Sequence, residues 1–225
     1  MADREPRWRF LLLTLSLCAW MFLSPHLGDR WIVQLVLQLF LIHFVVVTLW
    51  ANPRWGRMRQ VLIGFWLLAL LGSASTLLPM GRESQDLARI GHSVAMIPLL
   101  LLLAGGILRF VFARRQLDTD GIFATVAAYL LVAFAFAQAY TLLATVDPAS
   151  FQTPVPLSER SPQQMHGDLV YYSLITLATV GYGDILPTTD VARTLAVIEA
   201  TVGQFYVAVI VAVFVGMYSA SRQQR

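Results

Sequence analysis

The chain has 225 residues, of which 57% are hydrophobic and 13% are charged, and its formal net charge is +3. Soluble domains carry about 25% charged residues, so this composition excludes an ordinary water-soluble protein. The small positive charge gives no reason to expect a nucleic-acid partner. The single cysteine, Cys18, can form neither an intrachain disulfide nor a cysteine metal site.

Stretches without charge predict membrane helices, because several of them approach or exceed the roughly 18 to 20 residues that a helix needs to cross a bilayer. The predicted spans, in chain order, are 8–24, 31–50, 60–79, 92–113, 120–146 and 190–218. The first could be mistaken for a signal peptide, but no cleavage site of small residues follows it, so a retained helix is expected.

Arginine placement predicts the orientation of these spans. Eleven of the sixteen basic residues, all of them arginine, fall on the side that holds both ends of the chain. The side richer in arginine is normally cytoplasmic. We therefore expect a multi-pass protein in a plasma (inner) membrane with both termini in the cytoplasm.

The segment between the last two spans divides into two parts. Four prolines, at 148, 154, 156 and 162, predict an exposed outer loop over 147–167. From Asp168, a candidate helix N-cap, the chain turns apolar over 168–178. This stretch is too short to span a bilayer, so it is predicted to be a re-entrant helix.

The next six residues, Thr179-Val180-Gly181-Tyr182-Gly183-Asp184, followed by a full span, resemble the pore of a potassium channel. The resemblance is specific over about 168–218 and rests only on helix number and layout before 147. It implies an all-α integral membrane protein of six transmembrane helices, a re-entrant pore helix and a selectivity filter. It also implies that the chain assembles as a homotetramer.

The resemblance implies two domains. Residues 1–118 would form a four-helix domain laid out like a voltage sensor but without its gating charges. Residues 119–225 would form the pore domain, with outer helix 120–146, outer loop 147–167, pore helix 168–178, filter 179–184 and inner helix 190–218. The predicted fourth helix carries arginines only at its cytoplasmic end, so steep voltage gating is not expected.

Roles for the filter residues follow from the same resemblance. The carbonyl oxygens of Thr179, Val180, Gly181 and Tyr182, with the Thr179 hydroxyl, would bind K⁺ as the transported ion, and no cofactor is implied. Gly181 and Gly183 would permit the backbone dihedrals that this arrangement needs. Val180 and Tyr182 would point outward and pack against the pore helix.

Glu199 is an acid inside a predicted span, which makes it a candidate functional residue. We expect it to support the filter, unless its side chain extends outward to the membrane surface. It could also replace the usual partner of Asp184, because Ile175 stands where some family members carry a carboxylate. Its candidate hydrogen-bond donors are polar residues of the predicted pore helix: Tyr171, Tyr172, Ser173 and Thr176.

The inner helix contains a candidate gate. Gly203 resembles the hinge glycine of the family, although a small residue for close packing is an equal alternative. Val207, Val211 and Val215 share a face with it at four-residue spacing. That face is predicted to line the cavity, which Val211, Phe214 or Val215 would narrow toward the cytoplasm.

Other function classes find less support in the sequence. The metalloprotease pattern His-Glu-x-x-His is absent, and the chain is not expected to be an enzyme. His43, inside the second predicted span, is either a packed neutral side chain or a proton sensor. The gating stimulus stays open, with a separate regulatory subunit or a lipid among the candidate partners.

Overall fold

The computed structural model describes residues 9–23, 39, 41–49, 56–75, 81–113 and 119–223. The helices are α1 (Arg9–Leu23), α2 (41–49), α3 (Gly56–Ser75), α4 (Arg82–Phe112), α5 (Thr119–Val146), α6 (Pro162–Leu177) and α7 (Asp190–Gln223). Two 3-10 turns, Pro148–Ser150 and Leu157–Glu159, and two short strands, β1 (Phe151–Gln152) and β2 (Leu186–Pro187), complete the described chain. It is mainly helical, as predicted.

Three helices in the described part of the chain are long and apolar enough to cross a membrane: Glu83–Phe112, Thr119–Val146 and Asp190–Ser219. They correspond to the fourth, fifth and sixth predicted spans. Helices α1 and α3 overlap the first and third. Helix α2 overlaps the second, but the other half of that span, and residues 76–79 of the third, lie outside the described residues.

Helix α4 begins at Arg82, well before the predicted start at His92. The predicted start was wrong because the prediction rested on apolar residues, and the first turns of this helix are polar. This stretch forms helical turns of its own, in which Arg89 Nη1 lies 2.8 Å from Asp86 Oδ1 one turn earlier. Such pairs support a helix that extends beyond its apolar part. Pro98 lies inside the helix without ending it.

Helix α6 begins at Pro162, so the predictions of Asp168 as its N-cap and of Pro162 as part of the loop were wrong. The N-cap is Ser161, whose Oγ accepts from the Gln164 N–H at 3.3 Å, while Gln164 Oε1 accepts from the Ser161 N–H at 3.0 Å. This is a capping box with proline at the first helical position. Asp168 instead lies within the helix, 3.1 Å from Arg160 Nε.

The main core forms where α4 packs along α5. Leu99, Leu103 and Ile107 of α4 are fully buried with Ala127 and Leu131 of α5. Small residues such as alanine let helix backbones approach closely in a membrane. One face of α5 is therefore covered by α4.

A second core supports the outer end of α6. Tyr140 of α5, Phe151 of β1 and Tyr172 of α6 pack edge to face, with ring centroids 5.1 to 5.5 Å apart. Leu169 and Ala192 complete the same buried cluster. Aromatic pairs in this geometry each contribute about 0.5–1.5 kcal/mol beyond their buried area.

The strands join the outer loop to the residues after the filter segment. They are antiparallel, with Phe151 opposite Pro187 and Gln152 opposite Leu186. The Thr188 N–H donates to the Ser150 carbonyl at 2.9 Å, which extends the link. This pairing was not predicted, because two residues are too few to show the alternation that indicates a strand.

Candidate functional site

The segment 179–184 leaves the end of α6 with an unusual backbone. Thr179, Gly181 and Gly183 have positive φ values of 56°, 55° and 79°, whereas Val180 and Tyr182 do not. Alternation between left- and right-handed dihedrals turns successive carbonyls toward the same side, whereas a β-strand points them to opposite sides. The two glycines adopt this conformation freely. A threonine in it costs about 1–2 kcal/mol.

Backbone amides tie this segment back to α6. The Val180 and Gly181 N–H groups both donate to the Ile175 carbonyl, at 2.8 and 3.3 Å, and the Thr179 N–H donates to the Thr176 carbonyl at 2.9 Å. In the described chain, no group donates a hydrogen bond to the carbonyl oxygens of 179–182. Four successive acceptors are thus left without a protein donor, which is uncommon for backbone carbonyls.

Gln204 of α7 contacts the inner end of the segment. Its Nε2 donates to Thr179 Oγ1 at 3.2 Å. Thr179 and Gln204, with Thr201 and Phe205, line a concave space of about 400 Å³. Sequence reasoning missed Gln204. The available signal was a polar amide one residue after Gly203 in a mainly apolar helix.

Asp184, at the outer end, has a different partner from the one considered. Tyr171 Oη donates to Asp184 Oδ2 at 2.9 Å. Glu199 contacts Tyr140 and Ser173 instead, so the hypothesis that Glu199 replaces the missing carboxylate partner of Asp184 was wrong. The tyrosine side chain reaches Asp184 from a position about one helical turn before Ile175.

The expected packing of Val180 and Tyr182 against α6 is not made within one chain. Their side chains are 52% and 72% exposed. Burial of apolar surface is favourable by about 25 cal/mol per Å², so exposure of these two side chains to water is unfavourable. Any partner for these two side chains must therefore come from outside the described residues.

Glu199 is fully buried and does not extend to the membrane surface. Its Oε2 accepts from Tyr140 Oη at 2.6 Å, and its Oε1 lies 2.5 Å from Ser173 Oγ. Of the four candidate donors, only Ser173 is a partner. The Tyr172 ring packs against Tyr140 and Phe151 instead. Tyr140 was missed, although a polar residue in an apolar helix can be read as a partner for an intramembrane acid.

The candidate gate residues do not share one environment. Gly203 is buried against α6, where a Cβ atom would lie 2.0 Å from the Leu177 carbonyl oxygen. Val207, Val211 and Val215 are more than half exposed, and Phe214 packs against the core between α4 and α5. The contact of Gly203 favours the close-packing interpretation. The role of the valine face stays a prediction.

Acidification is expected to destabilise the fold through His166. Thr141 Oγ1 donates to the Ala137 carbonyl, so the His166 Nδ1, 2.9 Å from that hydroxyl, carries the proton of their bond. Burial, and secondarily the charge of His92, lower the pKa of His166 to about 4. An unfolded histidine has a pKa of about 6.5, so the unfolded state gains a proton first as the pH falls.

The stability contributed by His166 is therefore complete above about pH 6.5 and is lost as the pH falls toward 4, with a loss of about 1–2 kcal/mol at pH 5. Thermal unfolding in detergent at pH 7 and pH 5 measures it. His166→Gln should show a smaller decrease in unfolding temperature between the two pH values than the wild type. An equal decrease in both proteins would contradict the assignment.

Comparison with known proteins places these helices in one family. The profile of a family described as "Ion channel" matches residues 122–220, from α5 to α7. Protein LctB of Bacillus caldotenax is 38% identical over 102 residues, which are 45% of this chain and 75% of the relative. Protein LctB of Geobacillus stearothermophilus is 35% identical, with the same coverage. No solved structure matches the chain.

Proposed function

Because this chain belongs to the ion channel family, we propose that it is a potassium channel whose filter is the segment 179–184. The proposal is carried by one observation: φ is positive at every second residue from Thr179 to Gly183. The amides of Thr179, Val180 and Gly181 are bonded to α6, and the carbonyls of 179–182 have no donor among the described residues. Such a strand has its acceptors free for a cation.

The chemistry of the acceptors supports a monovalent cation that sheds water. Rings of backbone carbonyls can replace the hydration shell of K⁺. The carbonyls of Thr179, Val180, Gly181 and Tyr182 would supply successive rings, and the Thr179 hydroxyl would supply the innermost one. Neutral carbonyls bind a divalent ion less well than carboxylates do, and this segment contains a carboxylate only at Asp184.

One chain supplies one strand of a ring, so the proposal includes a homotetramer around a common axis. Helix α7 supports it, because only 6% of its membrane-crossing window is buried within one chain. Val180 and Tyr182 support it as well, since their side chains are exposed among the described residues. Neighbouring copies and lipid would cover these surfaces.

The same proposal includes the membrane arrangement. Six spans with both termini in the cytoplasm of a plasma membrane agree with the arginine distribution. Helix α4 has no charged residue between Ile90 and Leu108, so steep voltage gating is not proposed. Passive conduction, rather than catalysis, is the activity that the filter chemistry supports.

Reconstitution of the purified protein in liposomes tests the proposed function. We expect rapid potassium flux, sodium flux lower by about tenfold or more, and block by barium, which resembles K⁺ in size but carries two charges. Protein-free liposomes provide the control. Equal potassium and sodium flux would reject selectivity, and absence of any flux from a folded tetramer would reject the channel itself.

A further inference from the structure

Three buried side chains meet at the contact of α5, α6 and α7. Tyr140 of α5, Ser173 of α6 and Glu199 of α7 are each 0% exposed. Three oxygen–oxygen contacts connect them to one another and to the backbone of α5. Tyr140 Oη lies 2.6 Å from Glu199 Oε2, Ser173 Oγ lies 2.5 Å from Glu199 Oε1, and Ser173 Oγ lies 2.7 Å from the Ala133 carbonyl oxygen.

Each of these contacts needs one proton between its two oxygens, because two oxygens without a hydrogen repel each other at such distances. Tyr140 has one hydroxyl proton and Ser173 has one. The Ala133 carbonyl has none. Two protons cannot fill three contacts, so the third must belong to Glu199.

The assignment of each proton then follows from geometry. The Tyr140 hydroxyl can donate only to Glu199 Oε2, and the Ser173 hydroxyl donates to the Ala133 carbonyl, which has no proton to return. The contact between Ser173 Oγ and Glu199 Oε1 is left for a proton carried by the carboxyl group. In this arrangement, every buried oxygen of the group is satisfied.

The surroundings provide no charge that would stabilise an ionised carboxylate. The titratable side chains near Glu199 are tyrosines: Tyr129 and Tyr140 on α5, and Tyr172 on α6. In the described part of the chain, no arginine or histidine makes an ion pair with it. Burial of an unpaired carboxylate costs several kcal/mol, whereas the neutral acid avoids this cost.

We propose that Glu199 is protonated at neutral pH and donates a hydrogen bond to Ser173, as the central member of a chain that runs from Tyr140 through Glu199 and Ser173 to the Ala133 carbonyl. Glu199 is thus a positioning residue. It holds α7 against α6 and, through Ser173, holds α6 against α5. The protonation state does not depend on the proposed function, although its value for the filter does.

Infrared spectroscopy of the folded protein tests the proton directly. A protonated carboxyl group absorbs as a carbonyl, well separated from the bands of an ionised carboxylate. In detergent at neutral pH, the wild type minus Glu199→Gln difference should contain one such carbonyl band, and ¹³C-labelled glutamate should shift it. A difference that contains only carboxylate bands would overturn the proposal.

Stability provides a second measurement that does not require conduction. Glutamine reproduces the neutral acid, because its amide donates toward Ser173 and its carbonyl accepts from Tyr140. We expect Glu199→Gln to unfold close to the wild-type temperature and Glu199→Ala to unfold at least about 5 °C lower. If Gln and Ala destabilise equally, the proposal is rejected, whatever the liposome flux shows.

Discussion

Replacement of Gly203 by alanine is expected to prevent most of the protein from folding as a stable assembly. A Cβ atom at this position would lie 2.0 Å from the Leu177 carbonyl oxygen, 2.9 Å from its carbonyl carbon and 3.2 Å from its Cα. All three are backbone atoms, so no side chain can rotate away. An extra methyl group in a packed core lowers stability by about 1–3 kcal/mol. Because the backbone here cannot move aside easily, we expect a loss at or above the upper end of that range.

The same helix offers a matched control. Gly216 also lies in α7, but a Cβ atom there would meet nothing within 4 Å. Alanine is favoured over glycine in a helix by up to about 1 kcal/mol, so Gly216→Ala should be recovered at the wild-type level. Size-exclusion chromatography and thermal unfolding in detergent compare the two variants. Equal recovery of both would mean that α6 and α7 do not approach as closely as this contact requires.

This prediction also separates the two interpretations of Gly203. A hinge glycine is needed when the helix bends, and its replacement by alanine should alter opening without loss of the folded protein. A packing glycine is needed in every state, and its replacement should lower the yield. Helix α7 runs without interruption from Asp190 to Gln223, and Gly203 is buried, so we expect the second result.

The second large effect is expected at Gly181, where alanine should reduce potassium flux by about tenfold or more. Gly181 has φ of 55°, and an L-residue in this region costs about 1–2 kcal/mol. In the proposed tetramer, four copies would add about 4–8 kcal/mol against the conducting backbone. Each 1.4 kcal/mol lowers a population tenfold, so a strand that relaxes its carbonyls away from the axis would dominate.

Gly167 of α6 provides the control for this variant. It also has open space at its Cβ position, but its φ is not positive. Gly167→Ala should therefore retain potassium flux, while Gly181→Ala loses it with its tetramer intact. Liposome flux and cross-linking of the purified proteins measure the two properties. Wild-type flux through Gly181→Ala would show that the left-handed backbone is not needed for conduction.

The features that could be predicted from sequence are those that local chemistry determines. Long, mainly apolar runs predicted α5 and α7 almost to their ends, because few other structures satisfy the backbone in a membrane. Gly181 and Gly183 were expected to permit unusual dihedrals, and both have positive φ. Their role in ion binding stays a prediction.

The start of α6 could not be placed correctly, because proline has two opposite meanings. Four prolines between Asp147 and Pro162 indicate a loop, yet Pro162 is also favoured at the first turn of a helix. The capping box of Ser161 and Gln164 resolves this ambiguity, and it was present in the sequence. The start of α4 was misplaced for a related reason. Its first turns are polar and lack the apolar residues from which the span was predicted.

The hydrogen-bond partners at the site depend on tertiary packing. Tyr140 and Glu199 are far apart in the chain, and their contact requires that α5 and α7 turn particular faces toward each other. The same holds for Gln204 and Thr179. Glu199 was the candidate partner of Asp184, and only the folded position of the Tyr171 side chain shows that Tyr171 is the partner instead.

The short ladder between β1 and β2 has a practical consequence for engineering. It fixes Phe151 and Gln152, while the capping box fixes the chain again at Ser161. The side chains of residues 154–156 between these two anchors are exposed. Exposed stretches held at both ends accept added residues most readily. An affinity tag or fluorophore inserted there is therefore expected to leave the backbone on either side in place.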